Sequence, residues 1–290
     1  MTRALLGSFF ELTKPRITLF ILMSTAIGFL YGTQMGAPWT WVVLLHTVVG
    51  TALIASGSAA LNQWYERDGD ALMGRTSRRP IPSGRVTPTE GLYFGTTLSV
   101  AGFAQLAIGV NLLTAVLALF TLASYLFVYT PLKRRSPLST TIGAIPGAMP
   151  PLIGYAASSG HLNFQAGILF AILFLWQFPH FYAIAWMYRE DYAKAGIRML
   201  PVVEPDMDST ARRILWFSLA LVPMSLAPKF FAMAGNVYLF GALALGSMVI
   251  YSGYLCSSER TVIAARRVLL ASVVYLPLLY GLLWLDVSTL

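Results

Sequence analysis

Polar residues are confined to short intervals along this chain, and the apolar runs between them approach the 17 to 25 or so residues that a helix needs to cross a bilayer. Nine such runs can be placed, at about 17–31, 41–61, 92–110, 113–129, 140–157, 166–187, 214–233, 237–255 and 268–285. Two of them carry internal prolines. In "TTIGAIPGAMPPLIGY" Pro146, Pro150 and Pro151 remove backbone donors, and "WQFPHFYAIAW" has the same feature at Pro179. Both predict broken or kinked helices, because carbonyls freed at membrane depth are tolerated only against protein or a water-filled cavity. The pattern predicts an all-α, polytopic bundle of nine transmembrane helices, with no internal repeat and no second domain over residues 1–290.

Composition supports the membrane reading. The 290 residues are 57% hydrophobic and only 11% charged, far short of the roughly one-quarter charged surface that a soluble domain needs. A net charge of +8 would suggest nucleic acid in a soluble protein. Here the basic residues lie between apolar runs, where they report orientation, and no nucleic-acid partner is expected. Alternate connectors, among them "GTQMGAPWT", "SSGHLNFQ" and "MAGN", carry no Lys or Arg. Nineteen of the 20 lysines and arginines fall on the other side, with Lys229 the exception. That asymmetry predicts a cytoplasmic N-terminus and an external C-terminus. The first run lacks a small-residue cleavage site and is expected to be a retained helix. The segment before Lys14 is short and contains Glu11, unlike an Arg-rich and Ser-rich organelle presequence, which makes a bacterial inner membrane the simplest address. The single cysteine, Cys256, allows neither an internal disulfide nor a cysteine metal cluster, and reads as a small apolar filler.

The stretch "LNQWYERDGDALMGRTSRRPIPSGRV", from Leu61, concentrates charge directly after the second run. If that helix continues, Asn62, Glu66 and Asp70 lie at i, i+4 and i+8 and share one face, while Asp68 points elsewhere. Two carboxylates and an amide carbonyl without His or Cys are hard oxygen ligands, suited to Mg²⁺ held together with water and substrate phosphates. The alternative is a solvated helix end. Arg75, Arg78, Arg79 and Arg85 follow in a loop broken by Gly74, Pro80, Pro82 and Gly84, and arginine's planar fork suits phosphate oxygens. Two further basic connectors, "YTPLKRRSP" and "YREDYAKAGIRMLP", belong to the same side and predict one polar lid.

These motifs together resemble the UbiA superfamily of intramembrane prenyltransferases. The ladder with "MGRTSRRP" resembles the superfamily's first acidic motif. "LTKPRIT", "YTPLKRRSPLSTTIGAIPGAMPPLIGY", "WQFPHFYAIAWMYREDYAKAGIRMLPVV" and "ARRVLLASVVYLPLL" are similar to its haem-farnesylating branch, from about residue 12 to the ninth run. The resemblance implies one prenyltransferase domain with a central cavity, in which Asn62, Glu66 and Asp70 hold Mg²⁺. It implies farnesyl diphosphate and haem B as substrates, the lipid bilayer as surroundings, and haem A synthase or terminal oxidase assembly as partners of the product. Arg75, Arg79, Lys133 and Arg134 are then candidates for the diphosphate. Asp191 is expected in the catalytic set, and Arg189 and Glu190 in the substrate-binding set. Many members carry a second Asp-x-x-x-Asp ladder. This chain has Tyr188 and Tyr192 at the corresponding positions, which leaves a second metal's ligands open.

Tyr125 and Tyr129 are candidates to face a prenyl cation, with membrane-interface tyrosines as the alternative. His180 lies at membrane depth, where an ionisable group is costly; it is a candidate haem contact, against a neutral interhelical hydrogen bond. Rival functions are prenylation of an aromatic acid, transport and non-catalytic haem binding. Transport leaves the gathering of arginines and oxygen ligands at one face unexplained.

Overall fold

The computed structural model describes residues 3–34, 40–204 and 206–287; part of the "GTQMGAPWT" connector lies outside them. Among the described residues the structure is helical, with a single isolated bridge between Ala234 and Val287. A short helix α1 (Arg3–Leu12) precedes α2 (Pro15–Thr33), α3 (Trp41–Leu72), α4 (Pro88–Gly109) and α5 (Leu112–Leu132). The next crossing is split into α6 (Ser139–Gly147) and α7 (Pro150–Ser159), followed by α8 (Phe164–Met187). Two small helices, α9 (Arg189–Lys194) and α10 (Leu200–Val203), lead to α11 (Asp208–Phe230), α12 (Asn236–Glu259) and α13 (Val262–Leu285). Seven of these helices are long and apolar enough to cross a membrane. The other two expected crossings are the split pair α6–α7 and the proline-containing α11. The chain is a multi-pass membrane protein.

Polar residues in the connectors set where the helices begin. Thr40, Asn111, Asn163 and Thr261 each cap a helix by accepting a bond from a backbone N–H three residues on, which satisfies a donor that the helix itself cannot. At α4 Thr87 and Glu90 form a reciprocal capping box with Pro88 in the first turn, a combination that fixes the start of the helix.

The proline-rich crossing breaks as expected, and protein fills the break. Pro150 and Pro151 have no N–H to give, so the regular ladder ends at Ala148, which bonds Ala144. Gln177 of α8 donates its Nε2 to the same Ala144 carbonyl at 2.9 Å. At Pro179 there is no break: α8 runs continuously through it.

Crossings are joined by close backbone approach. A Cβ on Gly28 of α2 would lie 1.9 Å from the Pro151 carbonyl oxygen, and one on Gly154 of α7 would lie 1.8 Å from that of Thr25. Ser158 then bonds the Phe29 carbonyl at 2.7 Å. Between helices in lipid there is little hydrophobic drive, so such small-residue seams supply packing instead. Gly154→Ala should force the two backbones apart and cost about 1 to 3 kcal/mol, the usual range for overpacking. A lowered melting temperature of the detergent-solubilised protein checks this; an unchanged one would mean that the seam yields freely.

Helix α1 was not anticipated. It lies across the charged end, with Phe9 against Phe94 at 4.9 Å between centroids and Leu12 buried beside Ala60, Ile81 and Val86. Its Glu11 pairs with Arg85 at 2.7 Å.

Candidate active site

Helix α3 continues eleven residues past the apolar run that ends at Leu61, reaching Leu72. The extension brings Asn62, Glu66 and Asp70 onto one face of one cavity of about 140 Å³. Asp70 is buried at 1% relative exposure, whereas the Asp68 side chain is 80% exposed beside Arg67.

Each carboxylate facing the cavity has a cationic partner from elsewhere in the chain. Arg79 donates its Nη1 to Asp70 Oδ2 at 2.6 Å. Lys133 donates its Nζ to both oxygens of Glu66, at 2.9 and 3.2 Å. Asn62 donates to Glu66 at 2.9 Å and to Thr130 at 3.3 Å, and its carbonyl oxygen accepts from Lys14 Nζ at 3.3 Å. Lys14 reaches the ladder from a left-handed backbone conformation, φ 48°, which is uncommon for a non-glycine residue and doubly so before proline.

Burial, and then the nearby Arg79 cation, push the Lys14 ammonium down to about 7. Lys133 moves the other way. Burial opposes its charge, but the Glu66 carboxylate against it holds the ammonium well above the usual lysine value.

The floor of the cavity comes from the end of α5, where residues 124–129 form a π-helical turn. Such turns concentrate at functional sites because they redirect side chains locally. Tyr125 and Tyr129 both line the cavity with ring centroids 5.3 Å apart, and Lys133 Nζ lies 4.6 Å above the Tyr129 ring. The Thr130 hydroxyl bonds the Tyr125 carbonyl at 2.8 Å within the turn.

Elsewhere in the lining Arg75 lies over two rings, 5.1 Å from Tyr188 and 5.9 Å from Tyr192. Asp191 accepts a bond from the Arg75 backbone N–H at 3.4 Å. The backbone N–H of Arg198 donates to the Lys133 carbonyl at 2.8 Å, which ties the two later connectors together. Met73, Ile197 and Met199 complete the lining.

Of the residues singled out in the sequence, Asn62, Glu66, Asp70, Arg75, Arg79, Tyr125, Tyr129 and Lys133 all line this cavity. Asp191 sits at its rim. Arg134 lies outside it, with its guanidinium extended over Gly69, and Arg189 and Glu190 are exposed on α9. His180 lies deeper on α8, bonded to Ser272 of α13. Lys14, Thr130 and Tyr192 were not anticipated as contributors. The only sequence signal for Lys14 was its place in "LTKPRIT", directly ahead of the first crossing.

Among the described residues no three His, Cys, Asp or Glu side chains cluster as a complete metal cage. The donors present are two carboxylates and an amide oxygen, a partial hard-oxygen set. That fits a small divalent cation that takes its remaining ligands from water and phosphate. The surrounding cations fit the phosphate.

An apolar helical bundle with a polar cavity at its charged end marks an integral membrane protein with an enclosed polar site, and the chain belongs to the UbiA prenyltransferase family, whose model matches residues 21–274. Within the family its similarity is to proteins named protoheme IX farnesyltransferase. It is 59% identical over 285 residues to the one from Solibacter usitatus (strain Ellin6076), covering 96% of this chain and 98% of the relative. It is 46% identical over 291 residues to the one from Koribacter versatilis (strain Ellin345), covering 98% and 94%. Solved structures share the fold at low identity. A digeranylgeranylglyceryl phosphate synthase superposes with TM-score 0.80 at 17% identity, covering 97% of this chain and 98% of that one. A UbiA homolog from Archaeoglobus fulgidus bound to GPP and Mg²⁺ superposes with TM-score 0.65 at 15% identity, covering 96% and 99%.

Proposed function

We propose that this chain, acting as one prenyltransferase domain, transfers a farnesyl group from farnesyl diphosphate to a vinyl group of haem B, adds water, and releases diphosphate. The observation that carries the reading is the oxygen ladder of α3 facing Lys14, Arg75, Arg79 and Lys133 across one cavity. The names of the similar proteins supply the acceptor and the chain length, and the GPP and Mg²⁺ bound to the Archaeoglobus homolog support a metal-dependent diphosphate site.

In this assignment Asn62, Glu66 and Asp70 hold Mg²⁺, whose chemistry is to draw charge from the departing diphosphate. Lys133, Lys14 and Arg79 leave their carboxylate and amide partners to take up phosphate oxygens, and Arg75 meets the diphosphate from elsewhere in the lining. Cations fixed where negative charge develops lower the barrier to ionisation. The allylic C–O bond breaks with both electrons going to diphosphate, leaving a farnesyl cation against the faces of Tyr125 and Tyr129. The vinyl group of haem B donates its π electrons to form the new C–C bond. Water captures the positive charge left on the porphyrin side and loses a proton, giving the hydroxyethylfarnesyl product, haem O. Asp191 orients Arg75 through its backbone, while Arg134, Arg189 and Glu190 form the outer approach. His180 contacts haem B.

The deciding experiment incubates the purified protein with haem B, farnesyl diphosphate and Mg²⁺ and reads the haem product by mass. A haem enlarged by one farnesyl group and one hydroxyl group is expected; unmodified haem from folded protein would sink the proposal.

The membrane is assigned as a bacterial inner membrane with the charged end cytoplasmic. With Cys256 replaced by serine, Arg78→Cys, Arg135→Cys, Lys194→Cys and Ser258→Cys should all resist an impermeant thiol reagent in intact cells. His161→Cys should react. Labelling of any one of the first four would reverse or break the orientation.

A further inference from the structure

His180 lies outside the cavity just described, in a contact set whose hydrogen positions can be worked out. Its Nδ1 is 2.9 Å from Ser272 Oγ, and that oxygen is 2.7 Å from the carbonyl oxygen of Leu269. Two oxygens at 2.7 Å need a proton between them, since lone pair against lone pair at that distance is repulsive, and the only available proton is that of the hydroxyl. Ser272 has a single proton and spends it on Leu269. Toward His180 its oxygen can only accept, so Nδ1 must be the protonated ring nitrogen. Nε2 then carries the free lone pair. Among the described residues no hydrogen bond reaches Nε2.

The ring is also held in plane. Trp176, one turn away on α8, stacks on it with centroids 4.7 Å apart and an interplanar angle of 23°, and Phe181 meets it edge-on at 5.4 Å. The Trp176 indole N–H bonds the Ser272 carbonyl at 2.8 Å. One serine therefore anchors both the imidazole and the ring stacked upon it. A histidine needed only as interhelical glue would have completed its work at Nδ1. This one is fixed in tautomer and plane, with an unspent σ-donor nitrogen at membrane depth, where an unmatched polar atom is costly. Fixing a ligating imidazole through its other nitrogen is how metal sites orient histidine.

We propose that Nε2 of His180 ligates the iron of the haem substrate, and that Ser272 is the positioning residue that keeps that nitrogen unprotonated, with Trp176 holding the ring plane. The inference rests on the haem-farnesylation reading. His180 precedes Tyr188, on whose ring Arg75 lies, by eight residues, or about 12 Å along the α8 axis. An iron ligated there would sit about two turns of α8 inward of the charged end. No change at iron is required, because ligation only orients the porphyrin.

The test titrates haem B into the full-length protein in detergent, following the Soret band and the iron–histidine vibration, for the unaltered chain and for His180→Ala, Ser272→Ala and Ser272→Thr. Histidine ligation is expected in the unaltered chain and should vanish in His180→Ala. Ser272→Ala should weaken haem binding about 10- to 100-fold, the usual cost of losing a partner that orients a metal ligand. Ser272→Thr keeps the hydroxyl and should bind haem as the unaltered chain does, and Mg²⁺-dependent binding of farnesyl diphosphate should be unchanged throughout. Equal damage from Ser272→Ala and Ser272→Thr would reduce Ser272 to packing and overturn its role. An unaltered spectrum in His180→Ala, with haem still farnesylated by the unaltered chain, overturns the ligation and leaves the function standing. Histidine-ligated haem that is never farnesylated supports the ligation and overturns the function instead.

Discussion

Asp70→Asn and Glu66→Gln should each lower the rate of haem farnesylation about 10²- to 10³-fold, the loss typical when one electrostatic contact made chiefly in the transition state is removed. Both substitutions keep size while deleting the charge that would hold the metal, and each turns one acceptor oxygen into a donor. Their side effects differ. Asp70 is buried and bonded to Arg79 at 2.6 Å, so Asp70→Asn also leaves a guanidinium without its counter-charge. Glu66 is bonded to Lys133 and Asn62, and a glutamine there can still accept from the ammonium. Asp68→Asn is the control, since its carboxylate is exposed to solvent and paired only loosely with Arg67, at 3.8 Å. Single-turnover rates at saturating Mg²⁺, with melting temperatures measured beside them, separate catalysis from folding. Losses of the same size at all three positions would defeat the assignment of the ladder.

The second large effect is expected at Lys133, where Lys133→Met should abolish tight binding of farnesyl diphosphate and also destabilise the protein. The Lys133–Glu66 pair is largely buried, with side-chain exposures of 15% and 16%. Removing one partner of such a pair leaves an uncompensated charge, which commonly costs about 3 to 5 kcal/mol. Lys133→Arg keeps the charge but brings a wider, planar head group to a position held 4.6 Å from the Tyr129 ring, so it should fold and bind with intermediate affinity. The pairing argument makes a sharper demand on the double substitution. Lys133→Met with Glu66→Gln removes both charges, and should recover much of the stability lost in Lys133→Met while staying inactive. Thermal unfolding of the four proteins as a double-mutant cycle gives the coupling directly. A coupling near zero would mean that the two side chains do not depend on each other.

Much of this arrangement was legible before any coordinates, and particular residues explain where legibility stopped. Long apolar runs locate helices well because lipid permits few other backbone solutions, and all nine expected crossings have helical counterparts. The spacing of Asn62, Glu66 and Asp70 fixes a shared face as soon as the helix is taken to continue, and α3 does continue to Leu72. Local pattern could not say which distant side chains meet that face. Lys14 enters through a left-handed backbone conformation that nothing in "LTKPRIT" announces. Tyr192, in the short helix α9, lies one helical turn after Tyr188, but no local pattern says that this helix faces Arg75. At Pro179 sequence alone could not choose between a break and a continuous helix, and the helix carries on without a break. Helix α1 was missed because it is amphipathic and lies across the charged end, so it has no crossing-length apolar run.

The contrast between the two walls of the cavity bears on how the enzyme answers to its medium. One wall offers carboxylates and an amide whose own counter-ions, Arg79, Lys133 and Lys14, move off to phosphate in the proposed assignment, so that dissolved cations must replace them there. The other wall holds Arg75 against the rings of Tyr188 and Tyr192, and arginine keeps its charge across the whole physiological pH range. Its positive charge is built in. In that assignment chelators and scarcity of divalent ions act on the ladder alone, while Arg75, which is bonded to no carboxylate of the ladder, goes on attracting anions whether or not a cation has arrived.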